Sequence, residues 1–163
     1  MKPSNPRITY YVEQFTEVYN GKPWYGDSIY HVLAIVTPAN AFWQPVDGSH
    51  TIAQLTSHII YWRQPLIKRL DGHFDNKPSA KSEDNWKTNE QLKKVGWKSL
   101  KKLLDESQTL LVSLLAQQKD SILKTKYSDT ITFQELINGI IQHDLYHTGQ
   151  IAHLKSLYQI KKK

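Results

Sequence analysis

The chain of 163 residues contains no cysteine. It therefore has no disulfide bond, no cysteine nucleophile and no metal site with cysteine ligands. A metal ion bound by this chain would need histidine, aspartate or glutamate ligands. The seven histidines make a histidine site the first to consider.

Long hydrophobic runs are also missing. The apolar stretches are a few residues long, whereas roughly 20 residues are needed to cross a bilayer. The N-terminal sequence MKPSNPRITYY has no apolar core of the kind that signal peptides carry. We therefore expect a single globular domain over residues 1–163, located in the cytoplasm, with no membrane partner.

The chain has an excess of positive charge, with a formal net charge of +6. A basic balance can indicate a nucleic-acid partner, but here the lysines are spread over pairs at 93–94 and 101–102 and a run at 161–163. They do not belong to an arginine-and-aromatic recognition motif. The pattern favours a solvated lysine-rich surface, and nucleic acid is not the expected partner.

Apolar residues recur at helical spacing, which predicts an all-α protein built as a helical bundle. The first helix has one apolar stripe and should end at Gly21. A short helix is expected within residues 26–36, with Asp27 as its cap and an end before Pro38. The stripe consists of Ile8, Tyr11, Val12, Phe15, Val18 and Tyr19.

Three capping-box patterns, each a threonine followed three residues later by Gln or Glu, predict the starts of the longer helices. They begin at Thr51, Thr88 and Thr132. Pro65 should kink or interrupt the first of these helices, and Gly72 lies near its end. The polar stretch 73–89 that follows is expected to be a long crossover connection within the same domain.

His143 and His147 are four residues apart, so on a helix they share one face, in the same stripe as Ile140 and Leu154. His58 lies on the apolar face of another predicted helix. A lone inward histidine is usually satisfied by a hydrogen bond. Three on two helices can together bind one divalent ion and leave a coordination position open.

The other histidines (His31, His50, His73 and His153) have no such pattern and are expected at the surface or as satisfied core residues. Asp144 lies where zinc proteases of the H-E-x-x-H type carry their glutamate, but it is offset by about 100° from the histidine stripe. It is expected to support the site or to lie on the helix surface. Gln150 could bond a histidine or simply close the bundle end.

The sequence IIQHDLYHTGQIAHLK, with SHTIAQLTSHIIYW, KPWYGDSIYHVL and the tryptophans Trp86 and Trp97, resembles the DinB-like family. This resemblance covers most of the chain, and H-x-x-Y-H-x-G-Q-I is its most specific part. It implies a four-helix bundle of up-down-down-up connectivity with a long crossover and a short extra helix, commonly a homodimer. It also implies one divalent ion, nickel or zinc, bound by His58, His143 and His147.

Several relatives in that family transfer a low-molecular-weight thiol to small electrophiles in a metal-dependent reaction. The resemblance therefore suggests a transferase with a small-molecule substrate and such a thiol as cofactor. The alternatives are a metal-dependent hydrolase assisted by Asp144 or Gln150, and a non-catalytic metal-binding protein of the stress response. No catalytic residue is assigned by the sequence.

Overall fold

The computed structural model describes residues 5–73 and 78–162. Within these ranges the protein is all-α, as predicted, and its only β-type pairing is an isolated bridge between Lys126 and Thr132. The helices are α1 (Pro6–Asn20), α2 (Ile29–Ala34), α3 (Pro38–Ala41), α4 (Ile52–Leu70), α5 (Asn89–Val95), α6 (Trp97–Ala116) and α7 (Phe133–Lys161), with a 3-10 helix at Asp120–Lys124.

The four long helices α1, α4, α6 and α7 form the bundle. The starts of α1 and α7 are adjacent, because Arg7 donates to Gln134 over 2.6 Å. Helix α6 runs the opposite way to α1, since Gln108 Nε2 donates to the Phe15 carbonyl and Asp105 contacts Tyr19, one turn further along α1.

Helices α4 and α7 are also antiparallel. His58, in the first half of α4, faces His147 at the middle of α7, whereas Arg69 near the end of α4 bonds the carbonyl of Tyr127, just before α7. The connectivity is therefore up-down-down-up, with the crossover between α4 and α5. This confirms the predicted fold.

The capping boxes begin their helices as predicted. Thr51 caps α4 with Gln54, Thr88 caps α5, and Thr132 caps α7 with Glu135. In each box the two residues satisfy one another's backbone N–H groups, which would otherwise lack partners.

Two local predictions need correction, and one of the two alternatives given for Pro65 is excluded. Helix α2 begins after Ser28 rather than at Asp27. The third predicted helix divides at Gly96, whose φ of +83° is a conformation that glycine adopts without strain, so α5 and α6 are separate. Pro65 does not interrupt α4, which continues to Leu70.

The core is a continuous apolar cluster between the four helices. Phe15, Leu66, Leu111 and Ile137 are all fully buried in it. Arg63 is also fully buried, on α4 among these apolar residues. None of the helices in the described part of the chain is long and apolar enough to cross a membrane.

Candidate metal centre

His58, His143 and His147 meet between α4 and α7. The Nε2 atom of His143 lies 3.1 Å from Nε2 of His58 and 3.1 Å from Nε2 of His147. His58 and His147 are each 6% exposed, while the side chain of His143 is 24% exposed. The structure therefore brings together the three histidines that the sequence singles out, in a group that could hold a metal ion.

The described part of the crossover, residues 78–89, returns to the first half of α4 and is fixed there, while residues 74–77 lie outside the described structure. Gln54 Nε2 donates to the Lys87 carbonyl over 3.1 Å, and Thr51 Oγ1 donates to Asn89 over 2.9 Å. These bonds place residues 85 and 86 directly against His58. The sequence did not predict that the crossover would take part in the site.

Asn85 sets the proton position of His58. Its backbone carbonyl lies 3.1 Å from His58 Nδ1. A carbonyl oxygen only accepts hydrogen bonds, so Nδ1 carries the proton, and Nε2 keeps a bare lone pair directed at His143. The Asn85 side chain is itself held, since Oδ1 accepts from Trp62 Nε1 over 2.9 Å and Nδ2 donates to the Ala80 carbonyl.

Trp86 packs flat against the His58 ring, with centroids 3.8 Å apart and planes inclined by 10°. His50 stacks on Trp86 in the same way, at 3.7 Å and 2°. Two rings cannot occupy one face of the indole at these distances, so Trp86 lies between the two histidines. His58 is therefore restrained both by a hydrogen bond and by a stacked ring.

Gln150 plays the corresponding part for His147. Its Oε1 lies 2.6 Å from His147 Nδ1, and its Nε2 donates to the hydroxyl of Tyr146 over 3.2 Å. With an amide oxygen as the acceptor, the proton of His147 is on Nδ1 and Nε2 again is bare. Of the two roles open for Gln150, the structure shows the bond to a histidine.

These contacts provide a test of whether a metal ion fits. Two bare Nε2 lone pairs converge on a third Nε2, and a single imidazole proton can satisfy at most one of them. A cation satisfies all three. Nitrogen ligands at about 2.0–2.1 Å from one ion lie roughly 3–3.4 Å apart, and the observed separations of 3.1 Å fall in that range. The residues present fit a divalent metal ion.

The surroundings keep two of the rings neutral. Burial, the largest effect, lowers the pKa of His58 to about 4, although the hydrogen bond to Asn85 acts in the other direction. Burial also lowers the pKa of His147. Neutral imidazole is the form that binds metal ions, so the site favours binding at neutral pH.

Asp144 does not lie at the helix surface. It is fully buried, and its Oδ2 accepts two hydrogen bonds from Arg63, from Nε over 2.9 Å and from Nη2 over 2.7 Å. Arg63 also donates to Ser107 and lies over the ring of Tyr19. Nothing in the sequence pattern singled out Arg63, because a single arginine on an amphipathic helix normally reaches solvent.

The remaining histidines stay outside the triad. His31, His73 and His153 are exposed, as expected. His50 is exposed as well and precedes α4, and its contact is with Trp86. Stacking on an aromatic ring leaves no signal in the sequence, so this role of His50 was not predicted.

The chain is also similar to a known protein family. Residues 26–151 match the family model of the DinB superfamily. The chain belongs to the DinB superfamily. All three histidines and Asp144 lie within the matched range, whereas α1 precedes it. No curated protein matches the chain. No solved structure matches it either.

Proposed function

We propose that this DinB-superfamily protein binds one divalent metal ion through His58, His143 and His147. The observation that supports the proposal is the convergence of three Nε2 atoms, of which two are bare because their Nδ1 protons face Asn85 and Gln150. Neutral nitrogen ligands suit nickel and zinc, which are the proposed ions.

The activity we propose is metal-dependent transfer of a low-molecular-weight thiol to a small electrophile. A bound divalent ion would lower the pKa of a thiol that reaches it and so provide a thiolate at neutral pH. The chain has no cysteine of its own, so the thiol would come from a small molecule.

The protein's own residues hold and shape the site. Asn85, Trp86 and Gln150 fix the orientation of His58 and His147. Trp62 and Tyr146, which contact the histidines edge-on, provide aromatic walls for an apolar electrophile. The partial exposure of His143 marks the side from which small molecules could approach.

A hydrolase is less well supported by this arrangement. A metal-dependent hydrolase usually carries a free carboxylate or imidazole as general base beside the ion. Asp144 is bonded to Arg63 and fully buried, and Gln150 is engaged with His147.

A non-catalytic metal-binding protein of the stress response is the second candidate, because the triad and the residues that orient it can bind an ion without a substrate. Cavities of about 470, 290 and 260 Å³ open elsewhere in the described structure, and none of the three is lined by a triad histidine. A site for storage or sensing needs no substrate cavity, whereas small-molecule enzymes usually have one.

Metal content tests the first part of the proposal. Protein purified without an affinity tag is measured for nickel and zinc, beside His58→Ala and His153→Ala. We expect about one ion per chain in the wild type and in His153→Ala, whose histidine is exposed on the same helix as two ligands, and none in His58→Ala. Equal metal content in all three proteins, or none even after added nickel or zinc, would refute the site.

Activity with a thiol tests the second part. The metal-loaded wild type and His58→Ala are incubated with glutathione, bacillithiol or mycothiol and an electrophilic dye. Conjugation that requires the metal, the thiol and His58 supports the transferase. Turnover of ester or amide substrates without thiol would support the hydrolase. Metal binding without either activity would support the non-catalytic protein.

We further propose that the protein forms a homodimer in the cytoplasm. Leu103 and Leu110 are 45% and 48% exposed and lie two turns apart on one face of α6, a pattern typical of an interface. Light scattering coupled to size exclusion should give the mass of two chains, and Leu110→Glu should reduce it to one. A monomeric wild type would contradict the proposal.

A further inference from the structure

Two buried polar atoms beside the triad have no hydrogen-bond partner among the described residues. They are Nδ1 of His143 and Oδ1 of Asp144. The two atoms are 3.9 Å apart, which is just beyond hydrogen-bond distance. Buried polar atoms normally have partners, so two such atoms side by side call for an explanation.

The carboxylate of Asp144 is held in a way that leaves Oδ1 free. Both hydrogen bonds from Arg63 go to Oδ2. Arg63 is in turn fixed by Ser107 Oγ, at 3.2 Å, and by the ring of Tyr19 beneath its guanidinium group. Oδ1 is therefore a rigid acceptor that stays available on the side of His143.

The other two histidines show what is missing at His143. His58 donates its Nδ1 proton to the Asn85 carbonyl, and His147 donates its Nδ1 proton to the Gln150 amide oxygen. His143 is the one member of the triad whose Nδ1 has no acceptor within bonding distance in the described part of the chain. The carboxylate of Asp144 is the acceptor next to it.

We infer that Asp144, clamped by Arg63, is the positioning residue that accepts the Nδ1 proton of His143 and turns the Nε2 lone pair of that ring toward the metal. This inference rests on the proposed metal site. Each ligand then carries its proton on Nδ1 and presents a bare Nε2. A carboxylate partner also makes a metal-bound imidazole a stronger ligand, so Asp144 and Arg63 contribute to metal affinity.

A purely structural role for the ion pair is the competing explanation, and a double variant separates the two. Replacing a buried ion pair with apolar residues is often neutral for stability, whereas removing one partner is not. Arg63→Met combined with Asp144→Leu should therefore keep the metal-free protein folded, with circular dichroism and melting temperature close to those of the wild type, but without an acceptor for His143.

Zinc affinity, measured by competition with a chromophoric chelator, is the first readout. We expect the folded double variant to bind zinc about 10–100 times more weakly than the wild type, the usual effect of losing such a partner. Wild-type affinity in the double variant would overturn the inference. A wild type that takes up no zinc would instead refute the metal site itself, and the inference with it.

Nuclear magnetic resonance of the wild type gives a second readout that does not depend on how the variant folds. In zinc-loaded protein labelled with ¹⁵N-histidine, the long-range couplings of each ring identify the protonated nitrogen. We expect His143 to carry a proton on Nδ1, with a downfield signal typical of a bond to a carboxylate. A bare Nδ1, or an Nδ1 proton that exchanges as freely as that of exposed His153, would overturn the inference.

Discussion

Two buried polar clusters lie next to each other between α4 and α7, and they are satisfied in opposite ways. In one, Arg63 and Asp144 neutralise each other across a distance of 2.7 Å. In the other, His58, His143 and His147 point nitrogen atoms at one another with no internal opposite charge. Both clusters lie in the same apolar interior.

The difference indicates which of the two clusters needs a bound cation. Arg63 and Asp144 neutralise each other's charge, and Oδ1 of Asp144 is the carboxylate oxygen that Arg63 leaves without a hydrogen bond. Three imidazoles with their protons directed outward leave lone pairs that only a cation can satisfy together. The ion pair therefore needs no bound ion to balance its charge, whereas the triad has the chemistry of a binding site.

The largest loss of stability should come from breaking the ion pair between Arg63 and Asp144. Arg63→Ala leaves the buried carboxylate of Asp144 unpaired, and we expect it to reduce the free energy of unfolding by about 3–5 kcal/mol. Urea denaturation of the metal-free protein measures this loss. Arg69→Ala, on the same helix but only half-buried, is the control and should cost less. If the two variants lose the same free energy of unfolding, the buried ion pair stabilises the protein no more than a half-buried arginine does.

Removing one of the three histidine ligands should lower the stability of the protein chiefly when metal is present. With zinc at roughly 100–1,000 times its dissociation constant, binding should stabilise the wild type by about 2.7–4.1 kcal/mol. We expect His143→Ala to lose this gain while His153→Ala retains it, in thermal melts with and without zinc. Stabilisation of His143→Ala by zinc would show that the ion binds elsewhere.

Gln150 should matter less than the ligands, because it acts through His147. We expect Gln150→Ala to weaken zinc binding by about tenfold, since the His147 ring loses the acceptor that orients it. Chelator competition measures the change. Gln142→Ala, at an exposed position of the same helix, is the matched control. If both variants bind zinc equally well, the bond from His147 to Gln150 has no part in metal binding.

Acid should destabilise the metal-free protein through protonation of His58. The pKa of His58 is about 4 in the folded protein, below the ordinary value of 6.5, so the unfolded chain binds more protons between these pH values. The stability that the metal-free protein gains from a neutral His58 is therefore fully present above pH 6.5 and is lost as the pH falls toward 4.

We expect this loss to be on the order of 1–2 kcal/mol, discounted because solvent reaches the neighbouring His143. Denaturant titrations at a series of pH values measure it, and His58→Gln should flatten the curve in this range. A wild-type curve that is flat from pH 6.5 to 4 would contradict the proposed neutral state of His58.

The smallest loss of stability is expected from changing Ser107, which contacts the arginine of the ion pair. Ser107→Ala removes one hydrogen bond to Arg63 but leaves both bonds to Asp144, so we expect a loss of about 0.5–1.5 kcal/mol. Urea denaturation checks it, with exposed Ser113→Ala as the control. A loss as large as that of Arg63→Ala would mean that Ser107, rather than Asp144, holds the arginine in place.

Helix starts were predictable because their signals are local. The capping boxes at Thr51, Thr88 and Thr132 involve residues three positions apart, and all three begin helices in the structure. The break at Gly96 was missed because leucines continue on both sides of it at a spacing that a single helix would also show.

The sequence alone determined the all-α fold and the choice of His58, His143 and His147 among seven histidines. Both follow from helical periodicity, which shows which side chains face the same way before any helix is packed. Only the tertiary structure decided that Asn85 and Trp86 reach His58 from the crossover, and that Arg63 neutralises Asp144. These contacts join residues 27, 28 and 81 positions apart, and no local periodicity encodes which distant side chain will complete a hydrogen bond or a buried charge.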